Sequence, residues 1–202
     1  MKQIHELFAT PLYEAELDLD LEKMQNYCEE VHKNKNHRNR KVSNQGGFQT
    51  ELSKSDENIR DLILQIEMHA DIFAKNIMNN LNQKMDNIWL NVNGYKTSNL
   101  SHAHPGADIS GTYYVKSPEN CGSIAFEHPA LDVLAMYQAH QFIDKHNTWE
   151  EYNAQTWHFP PKENTIYLFP SWLKHYVNPN ENEAGKNRIS IAFNLHCSDE
   201  RN

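Results

Sequence analysis

His102 and His104 stand two residues apart, His175 lies in Phe169-Pro170-Ser171-Trp172-Leu173-Lys174-His175-Tyr176-Val177, and Arg188 opens the alternating run Arg188-Ile189-Ser190-Ile191-Ala192-Phe193-Asn194. Side chains two apart on a strand point the same way, so on a strand His102 and His104 would face a common point. With His175 they could supply three protein ligands to one metal ion. In the last run Ile189, Ile191 and Phe193 are expected to face a core, while Arg188, Ser190, Ala192 and Asn194 face the other way, into a polar cavity. An arginine carried into a cavity needs an anionic partner, because an unpaired buried charge is costly, and a carboxylate meets a guanidinium with two parallel hydrogen bonds. A metal with open positions beside such an arginine suits oxygen chemistry better than a structural metal.

The elements that must carry these groups can be read from periodicity. Residues 4–17 read as a first strand, with Pro11 placing it at an edge or bulge. Leu21, Met24, Cys28 and Val31 recur at helical spacing within 18–33. Residues 34–53 are polar, contain Gly46-Gly47 and read as a long loop, a candidate wall or lid. Ser55 or Asp56 can cap a second helix, with Ile59, Leu62, Ile63, Ile66, Ala70, Phe73, Ile77 and Leu81 down one face to about Asn82. Strands are expected at 87–93, 108–116, 122–127, 165–169 and 188–196, separated by Pro- and Asn-rich turns. Residues 130–157 give no clean stripe and are a second candidate lid. Helices first and short strands after predict a mainly β fold with N-terminal helices packed on one sheet. The expected organisation is one domain over 1–202, with helical support at about 18–85 and the metal-binding β core at about 86–197.

Composition excludes several classes. The 202 residues are enough for one proper core. Nineteen Lys and Arg against 27 Asp and Glu leave a net charge of −8, which argues against a nucleic-acid backbone as partner. The basic stretch His37-Arg38-Asn39-Arg40-Lys41 reads as a solvated loop. No apolar run approaches a membrane span, and the N-terminal residues do not form a secretory signal. Cys28, Cys121 and Cys197 are too few and too scattered for a zinc ribbon or disulfide framework, so reduced thiols and a cytoplasmic location are expected.

The order of motifs resembles the iron(II)- and 2-oxoglutarate-dependent oxygenases on the prolyl-4-hydroxylase-like side, and more closely a group of small bacterial and viral members. The matching pieces are Phe8-Ala9-Thr10-Pro11-Leu12, Trp89-Leu90-Asn91-Val92-Asn93, Asn99-Leu100-Ser101-His102-Ala103-His104-Pro105-Gly106, Ser110-Gly111-Thr112-Tyr113-Tyr114-Val115, Gly122-Ser123-Ile124-Ala125-Phe126, and the His175 and Arg188 segments. The resemblance implies a double-stranded β-helix, or jelly roll, with iron(II) at its mouth and 2-oxoglutarate and O2 as cosubstrates. It implies His102 and His175 as the two histidine ligands. Arg188 would hold the distal carboxylate of 2-oxoglutarate, with a hydrogen bond from Ser190. Asn194, Asn91 and Tyr113 are further candidates for the cosubstrate pocket, and no catalytic residue beyond the ligands is implied.

One departure stands out. The superfamily usually carries His-x-Asp, and here the acidic position is His104. His104 remains the favoured third ligand, with Asp108, four residues on, as its substitute. Three histidines also suit zinc. The expected reaction is hydroxylation of a protein side chain or small metabolite, with release of succinate and CO2. The rival readings are a cupin-like three-histidine metalloprotein working without 2-oxoglutarate, and a non-catalytic jelly-roll binding module. A homodimer formed through exposed edge strands is a further expectation.

Overall fold

The computed structural model describes residues 3, 5, 8–34, 39, 42–78, 82–140 and 154–198. Two antiparallel sheets carry the site. Strand β1 spans Tyr13–Glu16, β2 Asn44–Gln45, β3 Phe48–Glu51, β4 Gln83–Asn93 and β5 Ser98–His102. Then come β6 Ile109–Lys116, β7 Ile124–Glu127, β8 Thr156–Phe159, β9 Thr165–Pro170, β10 His175–Val177 and β11 Arg188–Cys197. The larger sheet has the order β1-β9-β6-β11-β4-β3, and the smaller β2-β5-β10-β7-β8. Neighbours in the sheets are distant in sequence, so the sheets assemble only once the whole chain has folded back on itself.

Helix α1 (Leu21–Lys33) starts where the Asp20 carboxylate accepts from the backbone N–H of Lys23, capping one of the helix's orphan donors. Its buried stripe is Met24, Tyr27, Cys28 and Val31. Helix α2 (Arg60–Ile77) follows a single 3-10 turn at Glu57–Ile59 that Asp56 caps. Leu62, Ile66, Ala70, Phe73 and Ala74 line its buried face. Both helices cover the outer face of the larger sheet, where Ile88, Leu90, Ile109, Tyr113, Ile166, Leu168, Ile191 and Phe193 meet them in one cluster. Each such large side chain contributes about 1.5–3 kcal/mol on burial. Gly111 pairs with Phe193 across β6 and β11, and a Cβ on it would stand 2.5 Å from the Phe193 ring. Only glycine leaves room for that ring in the core.

The opposite faces of the same strands look inward. Tyr114, Tyr167 and Phe169 of the larger sheet pack against Ile124 and Phe126 of the smaller, with Leu173 beside them. The period-two alternation read from β11 therefore separates a helix-covered face from a face between the sheets.

Several expectations are corrected. The 34–53 segment is not a plain loop: β2 pairs with β5 and β3 with β4. Main-chain pairing with two strands organises it despite its lack of apolar periodicity, and these strands fall inside the stretch expected to be helical. The described part of the first strand is only Tyr13–Glu16, and α2 ends at Ile77 rather than near Asn82. The 130–157 segment contributes helix α3 (Leu131–His140) and the start of β8; 141–153, most of the basic stretch at 37–41, and Leu81 lie outside the described residues. No helix among the described residues is long and apolar enough to cross a membrane.

Candidate active site

The three histidines converge between the sheets at one end of the sandwich. His102 ends β5 and pairs directly with His175 at the start of β10. His104 is not on the strand. It lies in the turn that follows, where its N–H donates to the Ser171 carbonyl at 2.9 Å and its carbonyl accepts from Ala107. Ser171 answers with its own N–H to the Asp108 carbonyl and its hydroxyl to the Ala107 carbonyl. The loop after β5 is thus laced to the loop before β10, and the lacing holds His104 against His175. Same-side geometry of His102 and His104 arises from this turn, not from strand alternation.

One ring nitrogen from each histidine lies within 4.8 Å of the others. His104 Nε2 and His175 Nε2 are 3.3 Å apart. Two nitrogens bound at about 2.0–2.1 Å are separated by roughly 2.8–3.0 Å at octahedral angles and roughly 3.3–3.4 Å at tetrahedral ones, so the pair is close to the spacing a common ion needs. Two of the rings are set by the same local device. His102 Nδ1 lies 2.6 Å from the Leu100 carbonyl and His175 Nδ1 2.9 Å from that of Leu173, in each case two residues back. A carbonyl only accepts, so each Nδ1 carries the proton and each Nε2 presents its lone pair. Burial pushes the His175 imidazole down to about 3 and that of His104 to about 4, with the neighbouring His102 adding to both. Burial also lowers His102, against the Leu100 hydrogen bond. The neutral forms that bind a metal are favoured. Phe169 packs edge-on against His175 with centroids 4.6 Å apart, and Trp89 lies 5.7 Å from the His104 ring.

Arg188 lines the same slot, a cavity of about 50 Å3 between the sheets. It is 1% exposed. Its Nη1 donates to the carbonyls of Cys121, Gly122 and Asn178, the last two at 3.2 Å. Its Nη2 is buried and has no partner among the described residues. Gly122 is required at this point: its φ is +85°, and a Cβ there would lie 2.3 Å from the Asn178 carbonyl and 2.9 Å from Arg188 Nη1. The guanidinium is held on one nitrogen and leaves the other unsatisfied, an arrangement that a ligand carboxylate could complete. Ser190, two residues on, lines the slot, as does Asn91 on β4, whose buried Oδ1 also finds no donor among the described residues. The donor set fits a metal ion, and the arginine fits an acid beside it.

Other expected site residues are not brought here. The Asp108 carboxylate accepts from the Cys197 N–H at 2.7 Å and sits 3.8 Å from His196 Nδ1, so it caps the end of β11 and stays out of the histidine cluster. Asn194 is absorbed within the sheet, accepting from Ser110 and donating to Asn87. A register shift at Asn194/Leu195 marks the end of the regular alternation there. Tyr113 faces the helices, where its hydroxyl donates to Asn164 Oδ1 at 2.7 Å. Its neighbour Tyr114 lines the slot instead, with Thr112. The parity of β6 settled this: two adjacent tyrosines cannot share a face, and pairing with β11 decides which one turns inward. Asn93 and Ser43 also line the slot. Asn93 shares the parity of Asn91, which is the signal that could have found it; Ser43 had none.

The chain matches the family described as "Putative 2OG-Fe(II) oxygenase" over residues 87–194. It belongs to that family. The matched region runs from β4 to β11 and contains all three histidines and Arg188. Iron(II) and 2-oxoglutarate are the family's metal and cosubstrate, and the three-histidine cluster can hold the metal. Solved structures share the fold of this 2OG-Fe(II) oxygenase. A prolyl-4-hydroxylase from Pseudomonas putida aligns over 94% of both chains with a TM-score of 0.66 at 9% identity. HygX from Streptomyces hygroscopicus, solved with nickel and 2-oxoglutarate bound, aligns over 94% of this chain and 84% of its own, with a TM-score of 0.64 and 8% identity. A viral collagen prolyl hydroxylase from Paramecium bursaria Chlorella virus-1, in complex with 2OG, aligns over 91% and 94%, with a TM-score of 0.58 and 11% identity. The two facing sheets are therefore those of the double-stranded β-helix. No curated protein matches the chain by sequence.

Proposed function

We propose that this chain is a hydroxylase in which His102, His104 and His175 hold iron(II), and Arg188 with Ser190 holds the distal carboxylate of 2-oxoglutarate. The observation that carries the reading is the pairing, in one slot, of a metal-spaced histidine cluster with a buried arginine whose Nη2 has no partner. When bound, the metal would let O2 act as the oxidant, one oxygen atom going to succinate as the 2-oxo acid loses CO2 and the other to the substrate.

The chain's own residues bind, orient and exclude water. Leu100 and Leu173 fix the two imidazole tautomers through their carbonyls. Arg188, anchored on Nη1, gives the far end of the cosubstrate one fixed position, and the Ser190 hydroxyl adds a donor beside it. Tyr114, Ile124 and Phe169 wall the slot and limit access of water. The residues over 1–202 act together as one oxygenase domain, and the substrate is a small metabolite or a protein side chain. Nothing in the geometry favours the cupin-like or non-catalytic alternatives, since neither uses an arginine held in this way.

The test is an anaerobic titration of the metal-free protein with iron(II) and then 2-oxoglutarate. A weak visible charge-transfer band is expected, lost in Arg188→Met and in His175→Ala. Iron binding without a band would transfer the site to a three-histidine chemistry that does not use 2-oxoglutarate.

A further inference from the structure

No carboxylate lines the slot among the described residues. Among its described lining residues the groups that can carry charge are His102, His104, His175 and Arg188, and none is acidic. The nearest acid in sequence, Asp108, is engaged by the Cys197 N–H at the end of β11. No ion pair to Arg188 is found among the described residues, and its three hydrogen bonds go to neutral carbonyls. The surroundings are the reverse of the chain as a whole, whose net charge is −8.

The charge balance of the loaded site rests on the proposed binding of iron(II) and 2-oxoglutarate. Three imidazoles bind a metal as neutral ligands. A divalent cation and the Arg188 guanidinium bring three positive charges between them, and the 2-oxoglutarate dianion cancels two. One positive charge is left in a slot walled by Trp89, Tyr114, Ile124 and Phe169. With an acid at position 104 the same sum would be zero. An uncompensated charge removed from water is unfavourable, and an anion supplied by a ligand relieves it.

We propose that this oxygenase acts on substrates that carry a carboxylate next to the reacting carbon, and that this carboxylate occupies the slot near the histidine cluster as the anion His104 leaves unsupplied. The juxtaposition that carries the proposal is a three-histidine metal site and a buried arginine in a cavity with no acid among its described lining residues. A neutral substrate would leave the excess charge in place, and a cationic one would add to it. The His104 position thereby acts in substrate selection as well as in holding the metal.

The experiment uses the full chain loaded anaerobically with iron(II) and 2-oxoglutarate, and in parallel with cobalt(II) and 2-oxoglutarate. Acetate and its neutral isostere acetamide are the probes, followed through the charge-transfer band, the cobalt ligand-field spectrum and calorimetry. Acetate is expected to bind saturably and shift both spectra, with acetamide at least about tenfold weaker, as a single neighbouring charge commonly moves such equilibria by one to three decades. His104→Asp, which adds the missing negative charge while keeping a metal-binding side chain, is expected to weaken acetate by about tenfold or more and to retain the 2-oxoglutarate band. If that variant fails to fold or to hold metal, the acetate-to-acetamide ratio in the unaltered protein decides alone. Equal binding of the two probes, binding of neither, or bleaching of the band through displacement of 2-oxoglutarate by acetate each overturns the proposal while the oxygenase reading stands. Absence of the band before any probe is added overturns the oxygenase reading, and this proposal with it.

Discussion

Replacing Arg188 with methionine tests whether the buried guanidinium is there for a ligand or for the fold. Two effects oppose each other in the unliganded protein. The substitution strips the donor from three carbonyls, those of Cys121, Gly122 and Asn178, at about 1 kcal/mol net for each hydrogen bond lost. It also removes a charge that is 1% exposed and has an unpartnered nitrogen, and such a group costs several kcal/mol in desolvation. Methionine is unbranched and keeps most of the volume. The stability of the unliganded variant is therefore expected to stay within about 2 kcal/mol of the parent. Ligand binding has no such cancellation. Truncating one partner of a buried, hydrogen-bonded charge pair costs about 2–5 kcal/mol, which at about 1.4 kcal/mol per decade is a loss of roughly 30-fold to several thousand-fold in 2-oxoglutarate affinity. Thermal melts with a redox-inert divalent ion, with and without 2-oxoglutarate, provide the assay. At a concentration about a hundredfold above its dissociation constant the ligand stabilises the parent by about 2.7 kcal/mol, and Arg188→Met is expected to keep no more than about 0.9 kcal/mol of that at the same concentration. An equal shift in a folded variant would refute the assignment and make Arg188 a purely structural cross-link between β11 and the loops at 121–122 and 178.

Three further outcomes follow from the same structure. His175→Ala should abolish metal binding and also lower stability by about 2–3 kcal/mol, because the ring is buried against Phe169 and Phe126; metal calorimetry and denaturant melts separate the two losses. Gly122→Ala should destabilise by about 2–5 kcal/mol, combining a positive φ with overlap on the Asn178 and Pro179 carbonyls, and should weaken 2-oxoglutarate by moving Arg188; melts paired with ligand titration measure both, and parental values for both would refute the crowding argument. Burial pushes the Cys28 thiol up to about 12 from an ordinary value near 9. The protonated thiol is thus favoured in the fold, its contribution is full below about pH 9, and it is lost as pH rises toward 12, at no more than about 1.4 kcal/mol per pH unit. Denaturant midpoints should fall over that range and fall less steeply in Cys28→Ala; parallel slopes would rule Cys28 out as a source.

Local pattern was enough for much of this protein. The stripes of α1 and α2, the alternation of Arg188 to Ala192, and the set of three histidines with one arginine are visible in residue order, because helical and strand periodicities write burial directly into sequence. Pairing was not visible. The strands at Asn44–Gln45, Phe48–Glu51 and His175–Val177 are two to four residues long, too short for a periodic signal, and exist because longer strands offer them backbone partners. The choice of Tyr114 over Tyr113 depended on the register of β6 against β11, where a shift of one residue exchanges the two faces. The choice of His104 over Asp108 depended on hydrogen bonds between two loops far apart in the chain, which turn the histidine to the cluster while the end of β11 captures the acid. The chemistry available to the site was settled by residue types. Which of them meet was settled by long-range pairing, since contacts of that kind carry no trace in the local sequence.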